Sequence, residues 1–462
     1  MTIDADIKLK DGPDQLTQEN TVIQMQVYDI EKQIGIELYS TSSQGTGGIL
    51  RKLIEDFQVR EITNRKEGFE GKYLILELTK HNWDTHHVVR ELSRRLRISQ
   101  KRIGFAGTKD KRAETTQKIS IFDLNETDIE NVHLKDVDLK VIGRSNKSIG
   151  LGDLTGNEFR ITIRNIDHSK AELKEILSSI TMEIDKNGGV PNYFGIQRFG
   201  SLRPITHLVG ESLVKGDSEE AALKYISMTF QDEPEDTKNA RNFVADTRNF
   251  IEGLKLYPHH LRYERTMMHH LVNEPGDYEG AFLILPENLR RMFVHAYQSY
   301  IFNRIISERM RRGLPLNQAV KGDVVCFKNS AGLPDTSRTE KVSERTIDGI
   351  NNLIRRKRAF VTAPLIGYET EFSEDEPGEI ERTIFDQTGV SRKHFAEIPV
   401  SGISSRGMRR EILLNVSPVF STEDDETSPG RSKAILEFTL PKGSYATTVL
   451  REYMKVHPLE MS

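Results

Sequence analysis

Leu74, Leu76 and Leu78 alternate with Tyr73, Ile75 and Glu77, the two-residue period of a β-strand, and the added apolar Ile75 predicts burial largely on both faces. Past Asn82–Thr85 the period changes. Val88, Val89, Leu92 and Leu96 fall on one face of a helix and Arg90, Arg94 and Arg97 on the opposite one, so an arginine stripe faces solvent or a polyanion. Phe159, Ile161 and Ile163 alternate with Arg160, Thr162 and Arg164 as a half-buried strand. The helix after it opens on a Ser169/Glu172 capping box, carries Leu173, Ile176, Leu177, Ile180 and Ile184 as its apolar stripe, and stops at Gly188-Gly189 and Pro191. That stop reads as a domain edge. Beyond it the pattern is mostly helical, with Leu289, Phe293, Ala296, Tyr300, Ile301 and Ile305 on one long stripe. Strand-like pieces follow near Asp323–Phe327 and return at Glu411–Val416 and Ala434–Leu440. Residues 1–44 are polar and weakly periodic, which predicts a loosely held lead-in with one strand around Ile34–Leu38.

The 462 residues, 36% hydrophobic and 29% charged, supply enough apolar material for a sizeable core, which excludes overall disorder and indicates a soluble globular protein. That length suits two to four domains, or one domain with a large insertion. Lys plus Arg number 65 and Asp plus Glu 69, a formal charge of −4, so no tail coats nucleic acid, but local basic surfaces remain open. Charge is segregated. Arg90–Lys118 holds ten cations against three acids, a local net of +7, and further basic clusters lie at Arg290–Arg312, Arg355–Arg358 and Arg406–Arg410. The acidic runs Asp232–Asp236, Glu371–Glu381 and Glu423–Glu426 read as solvated loops. The single cysteine, Cys326, excludes an internal disulfide framework and CxxC-type zinc or iron–sulfur sites and suits a reducing compartment. No stretch approaches the roughly 18 consecutive apolar residues of a spanning helix, and the opening MTIDADIKLKDGPDQ does not resemble a signal peptide, so the expected setting is cytoplasmic, with no membrane.

Nucleotide and metal signatures are mostly missing. There is no Walker-type phosphate loop, and GTGG at 45–48 lacks the third spaced glycine of a dinucleotide fingerprint. The pairs His86-His87, His259-His260 and His269-His270 lack HExxH spacing, so no metal is expected. The densest polar constellation is GFAGTKDKRAETTQ at 104–117, in which Asp110 stands between Lys109 and Lys111-Arg112. One reading is a surface loop whose aspartate caps a helix or completes a turn. The other is chemical: cations keep Asp110 ionised where exclusion of water would raise its pKa, leaving a nucleophile or base, and the same cations hold phosphates.

GFAGTKDKRAETTQ closely resembles the catalytic motif of the tRNA pseudouridine synthase D (TruD) family, and four further stretches follow in the family's order. Glu55–Ile62 resembles its D-F-x-V-x-E segment, Leu154–Phe159 its L-x-G-N-x-F segment, and Pro191–Gly200 its N-Y-F-G-x-Q-R-F-G signature. Leu440–Glu452 resembles its L-P-x-G-x-[YF]-A-T segment, so the likeness covers roughly residues 45–455. It implies a cofactor-free isomerase that converts uridine-13 of tRNA to pseudouridine, with tRNA as partner; the sequence leaves the oligomeric state open, with a monomer slightly favoured. The implied fold is α+β: a pseudouridine-synthase catalytic domain with a mixed, mainly antiparallel sheet flanked by helices, interrupted by an inserted α/β TRUD domain. Mapped here, that gives a lead-in at 1–44, the catalytic domain at 45–188 and 415–462, and the insertion at 189–414, with RNA in the cleft between the domains. The resemblance makes Asp110 catalytic, as nucleophile or as a base removing the ribose 2′ proton. It makes Phe159 the ring that stacks on the target base, Asn157 the active-site amide, and Arg51 the basic residue near the aspartate. The Asn192–Gly200 signature suits a tight junction, with Arg198 within reach of RNA. Lys109, Lys111, Arg112 and the Arg90, Arg94, Arg97 stripe are candidate phosphate contacts, and Arg406, Arg409 and Arg410 are candidates to line the cleft. Residues 203–290 hold only loose periodicity and are the expected seat of substrate preference. Two rivals stand beside this reading: an RNA-binding protein without chemistry, and a methyltransferase, for which GLGDLTG at 150–156 is a weak glycine loop.

Overall fold

The computed structural model describes residues 27–461. Its larger sheet contains β1 (Phe57–Ile62), β2 (Tyr73–His81), β3 (Ile103–Phe105), β4 (Glu114–Phe122), β5 (Val137–Ser145) and β6 (Gly156–Ile166), joined by β13 (Val419–Asp424) and β14 (Ser432–Pro441) from the far end of the chain. The order is β13-β14-β6-β1-β4-β2-β5, with β3 also on β4; only β1 and β4 run parallel. The expected mixed, mainly antiparallel sheet is what forms.

Helices α1 (Asp29–Lys32), α2 (Thr85–Arg95), α3 (Glu126–Glu130), α4 (Lys170–Lys186) and α14 (Ala446–Met454) accompany this sheet in sequence. The even positions of β2, Leu74, Leu76 and Leu78, pack with Val88, Val89 and Leu92 of α2, while Ile75 packs on the other side with Ala106 and Ile149. The leucine face is therefore dry, whereas on the other face Ile75 is buried but Tyr73, Glu77 and Thr79 are only half-buried. Beneath β1, β6 and β14, the apolar stripe of α4 meets Val449, Leu450, Tyr453 and Met454 of α14 in a second core. The Ser169/Glu172 capping box is formed, with Ser169 accepting from the Glu172 amide.

Gly189 ends that helix because no other residue fits: its φ is +143°, and an added Cβ would lie 2.1 Å from the Leu414 carbonyl oxygen. The close approach lets β7 (Val190–Pro191) pair with β12 (Leu413–Leu414). Between these two short strands the chain forms α5 (Thr206–Val214), α6 (Ser218–Ser227), α7 (Glu235–Thr247), α8 (Phe250–Leu256), α9 (Arg262–Asn273), α10 (Tyr278–Leu283) and α11 (Glu287–Arg311). A four-stranded sheet follows, β8 (Val324–Lys328), β9 (Pro334–Lys341), β10 (Ala359–Leu365) and β11 (Met408–Glu411), in the order β11-β10-β8-β9, with α12 (Ile347–Arg355) and α13 (Asp375–Asp386). A third, larger core joins this sheet to α11 and the shorter helices.

Two expectations need correction. Ile34–Leu38 is not a strand, and the lead-in is not loosely held where it is described; residues 1–26 lie outside the described residues. Its backbone groups are taken by side chains instead of a neighbouring strand. Asn303 Nδ2 donates to the Ile34 carbonyl at 2.9 Å, Ser307 Oγ to that of Gly35 at 2.8 Å, and Arg451 Nη1 to that of Leu38 at 3.0 Å. Nor are the acidic runs simply solvated. Glu233 pairs with buried Arg241 at 3.0 Å, Glu381 with Arg409 at 2.8 Å, and Asp425 with Arg164 at 2.9 Å, each carboxylate being buried.

Candidate active site

Because β1 and β4 are parallel, the segments that precede them leave the sheet at the same end: Arg51–Asp56 before β1, and the 106–113 loop before β4. Strand β6 lies antiparallel on the other side of β1, with Phe159 opposite Val59. The 106–113 loop folds back along β1, and Arg51, Asp110, Asn157 and Phe159 line one cavity.

The loop that presents Asp110 is fastened from below. Gln117 Nε2 donates to the Gly107 carbonyl at 3.1 Å, and Thr85 Oγ1 accepts from the Lys109 amide at 3.0 Å. Lys80, fully buried in β2, donates to the Asp110 carbonyl at 2.8 Å, to that of Trp83 at 2.5 Å and to that of Lys109 at 3.5 Å. Burial pulls its ammonium down to about 8, against the opposing charges of Asp110 and Asp84. The sequence signal for Lys80 was its parity: it shares the inward register of Leu74, Leu76 and Leu78, where a lysine needs a purpose. Lys109, expected to hold phosphate, instead turns inward to Glu61, Nζ to Oε2 2.7 Å, with both side chains buried.

The Asp110 carboxylate projects from this platform and remains 56% exposed. Its Oδ2 lies 2.8 Å from Arg51 Nη2, and the Arg51 guanidinium sits 3.9 Å over the Phe57 ring. Arg51 Nη1 also donates to the Arg112 carbonyl at 3.0 Å, and Arg112 Nη2 returns a bond to the Arg51 carbonyl at 3.2 Å. That reciprocal clasp fixes the arginine before any ligand arrives.

A cavity of about 450 Å³ opens beside the pair, a size within the range of small-molecule pockets. Phe57, Phe159, Asn157, Gln197 and Tyr445 line it together with Arg51 and Asp110. Phe159 is at once core and wall: its ring stacks on Phe438 at 5.5 Å and meets Phe57 edge-on at 6.3 Å, yet reaches the cavity. Asn157 also lines the cavity, and its Oδ1 is buried without a hydrogen-bond partner. Gln197 and Thr447, joined Thr447 Oγ1 to Gln197 Oε1 at 3.0 Å, are wall residues that the sequence reading treated as junction architecture or left unassigned.

The remaining cations divide. Lys111 and Arg112 are exposed in the loop that carries Asp110 but do not line the cavity, and Arg90 and Arg94 are exposed on the outer face of α2, where Arg94 pairs with Glu91 at 2.7 Å. Arg97, expected on that helix face, lies past the helix end at φ +53°. Arg198 is half-buried, bonded to Ser299 Oγ at 3.4 Å, and does not line the cavity although Gln197 does. A wider groove of about 760 Å³ runs between the two sheets, with Arg65, Lys147 and Lys442 on one wall and Met408 and Arg410 on the other. Arg409, which also borders it, bonds inward to Glu381, Ser373 and Thr362. Arg406 pairs with Glu369 away from that wall. Among the described residues no group of His, Cys, Asp and Glu is arranged to hold a metal ion, and no helix is long and apolar enough to cross a membrane. Cys326 is buried, which pushes its thiol up to about 12.

The chain matches the family model described as tRNA pseudouridine synthase D (TruD) over residues 33–453. It is 62% identical over 436 residues to a protein of Methanococcoides burtonii named "Probable tRNA pseudouridine synthase D", covering 94% of this chain and 99% of that one. A protein of the same name from Halobacterium salinarum is 41% identical over 451 residues, 94% of this chain and 100% of its own. The crystal structure of a Methanosarcina mazei protein described as "Putative tRNA pseudouridine synthase D (TruD)" superposes with a TM-score of 0.87 at 61% identity, covering 95% of this chain and all of that one. With its fold, its five motifs and these relatives in agreement, the chain belongs to the tRNA pseudouridine synthase D family.

Proposed function

We propose that this protein isomerises uridine-13 of tRNA to pseudouridine, with Asp110 acting as nucleophile or base on a uridine flipped into the cavity. The observation that carries the proposal is the juxtaposition of a clamped carboxylate, an aromatic wall and an unpartnered amide oxygen: Asp110 on Arg51 at 2.8 Å, Phe159, and Asn157 Oδ1. Uracil offers a flat face for Phe159 and an N3–H donor for an amide oxygen, so one base satisfies both. The reaction breaks the N1–C1′ bond, turns the base, and joins C5 to C1′; the proton lost from C5 balances the one gained at N1. Asp110 serves either by bonding to the sugar or the base or by taking the 2′ proton, and the 2.8 Å contact with Arg51 orients its carboxylate for both. No cofactor takes part. Position thirteen is taken from the family resemblance.

The proposal extends to the division of labour. Residues 45–188 and 415–462 form the catalytic domain, residues 189–414 the inserted one, and tRNA lies along the groove between the sheets. A reducing, cytoplasmic setting suits the single buried thiol.

The test compares wild type with Asp110→Ala on unmodified tRNA transcripts, mapping pseudouridine by carbodiimide and primer extension while tRNA affinity is measured in parallel. One modified uridine at position 13 with wild type, and none with a variant that still binds, is the expected result. Wild type that binds tRNA and forms no pseudouridine, while a known synthase works alongside, returns the protein to the RNA-binding reading.

A further inference from the structure

The turn from α12 into β10 carries Arg355, Arg356, Lys357 and Arg358 in succession, and all four are exposed. Among the described residues none of them has a carboxylate partner. Arg355 reaches only the side chain of Asn352, whereas Arg312 pairs with Glu308 at 3.0 Å and Glu379 at 3.0 Å, and Lys321 with Glu344 at 3.3 Å. The run is also held in place. Lys357 turns the chain at φ +54°, and the Lys328 amide donates to the Arg358 carbonyl at 2.9 Å, which brings the exposed Lys328 alongside.

Arg355 and Lys357 border a cavity of about 250 Å³ whose opposite wall is the end of α4 with Lys186. Asn317, Asn415 and Ser417 supply neutral polar groups there, and half-buried Phe360 an aromatic edge. Asp185 is the one acid on this wall, and its Oδ1 accepts from Ser417 Oγ at 2.7 Å. Fixed, unneutralised cations repel one another, and that cost is removed by a ligand that brings several negative charges at regular spacing.

A phosphodiester backbone has that spacing, and amide and hydroxyl donors beside the cations suit phosphate and 2′-hydroxyl oxygens. Geometry relates the patch to the groove between the sheets. Strand β10 lines this cavity with Ala359–Val361 and the inter-sheet groove with Leu365. Seven strand residues span roughly 20 Å, about six steps of a nucleic-acid duplex at 3.4 Å each.

We propose that Arg355, Arg356, Lys357 and Arg358, with Lys186 across the cavity, bind the phosphodiester backbone of a part of the tRNA distant from the target uridine. The inference rests on tRNA being the substrate. None of its residues belongs to the catalytic cavity.

The test replaces Arg355, Arg356, Lys357 and Arg358 together with Gln, and separately Arg355 and Arg356 only, in the full chain. Affinity for full-length tRNA transcript is measured from about 50 to 200 mM salt, and pseudouridine formation is followed in a single turnover at saturating protein. The fourfold variant is expected to bind at least about tenfold more weakly at the lowest salt, with a log K against log salt slope shallower by about 2 or more, since each lost phosphate contact removes roughly 0.7–0.9. The double variant should show about half that slope change, and the saturated rate should match wild type for both. Unchanged affinity and slope in the fourfold variant overturn the proposal. So does an equal loss in the saturated rate, which would place the patch in the chemistry. Patch-dependent tRNA binding by a wild type that makes no pseudouridine leaves this inference standing and defeats the reading of the active site; pseudouridine formation with patch-independent affinity does the reverse.

Discussion

Arg51 reaches Asp110 through a single 2.8 Å contact while a second bond ties it to the Arg112 carbonyl, so charge and direction are set by different atoms of one guanidinium. Arg51→Lys keeps the charge and loses one of the two bonds; its single-turnover rate is expected to fall about tenfold, against a hundredfold or more for Arg51→Ala. Equal rates for the two variants would mean that charge alone matters. Lys80 makes a separate prediction. Its pKa of about 8 lies below its ordinary 10.5, so between those values the unfolded chain binds the extra proton and this group's contribution to stability rises with pH. Its effect on the loop runs the other way, because a neutral amine has two N–H donors for three carbonyls. Wild-type turnover should therefore decline above about pH 8 while resistance to denaturant does not, and Lys80→Met should show a lower rate without that decline. Asp110, Arg51, Asn157 and Phe159 were all named from motifs, and the structure brings them to one cavity. The inward turn of Lys109 was not legible, because Glu61 meets it only through the parallel pairing of strands some fifty residues apart.

At the scale of elements, periodicity served wherever the pattern repeats within one element. The leucine face of β2, the stripe of α4 and its capping box are each set by residues within a few positions of one another, even where the face packs on a distant element, as α4 does on α14. It failed for single charged residues that find one distant partner, as in the acidic runs. Arg164 of β6 holds Asp56 at 2.6 Å, just before β1, and Asp425 at 2.9 Å, just after β13, so one buried arginine ties three strands together. Burial alone would raise the Asp425 carboxyl, but bonds from the Thr427 hydroxyl, from the Asn165 and Thr427 amides and from Arg164 bring it well below the usual range. A carboxylate lowered in this way stabilises the fold above about pH 4 and ceases to as pH falls through its folded value. Asp425→Asn is expected to cost about 2–3 kcal/mol at neutral pH, read by urea denaturation, with the gap from wild type narrowing in acid. A gap that stays constant down to pH 3 would mean that the ion pair is not its source.

Across the whole molecule, residues 27–43 act as a strap. Ile34 and Ile36 enter the largest core, whereas Glu31 holds Arg451 of α14 at 2.5 Å and the Ser43 amide binds Glu183 of α4 at 2.9 Å. A chain shortened to begin after Ser43 should melt at lower temperature and in two calorimetric steps instead of one; a single unshifted transition would show that the strap ties nothing. The larger sheet has a history as well as a shape. Strand β6 has β1 on one side and β14 on the other, and β14 arrives roughly 270 residues later, a wait of about 13–55 s at ordinary rates of ribosomal elongation. Throughout that interval the newborn chain carries an open, apolar strand edge. Slower passage of the ribosome across the insertion is therefore expected to lengthen the exposure of that edge and to lower the soluble yield, a cost that the finished fold conceals.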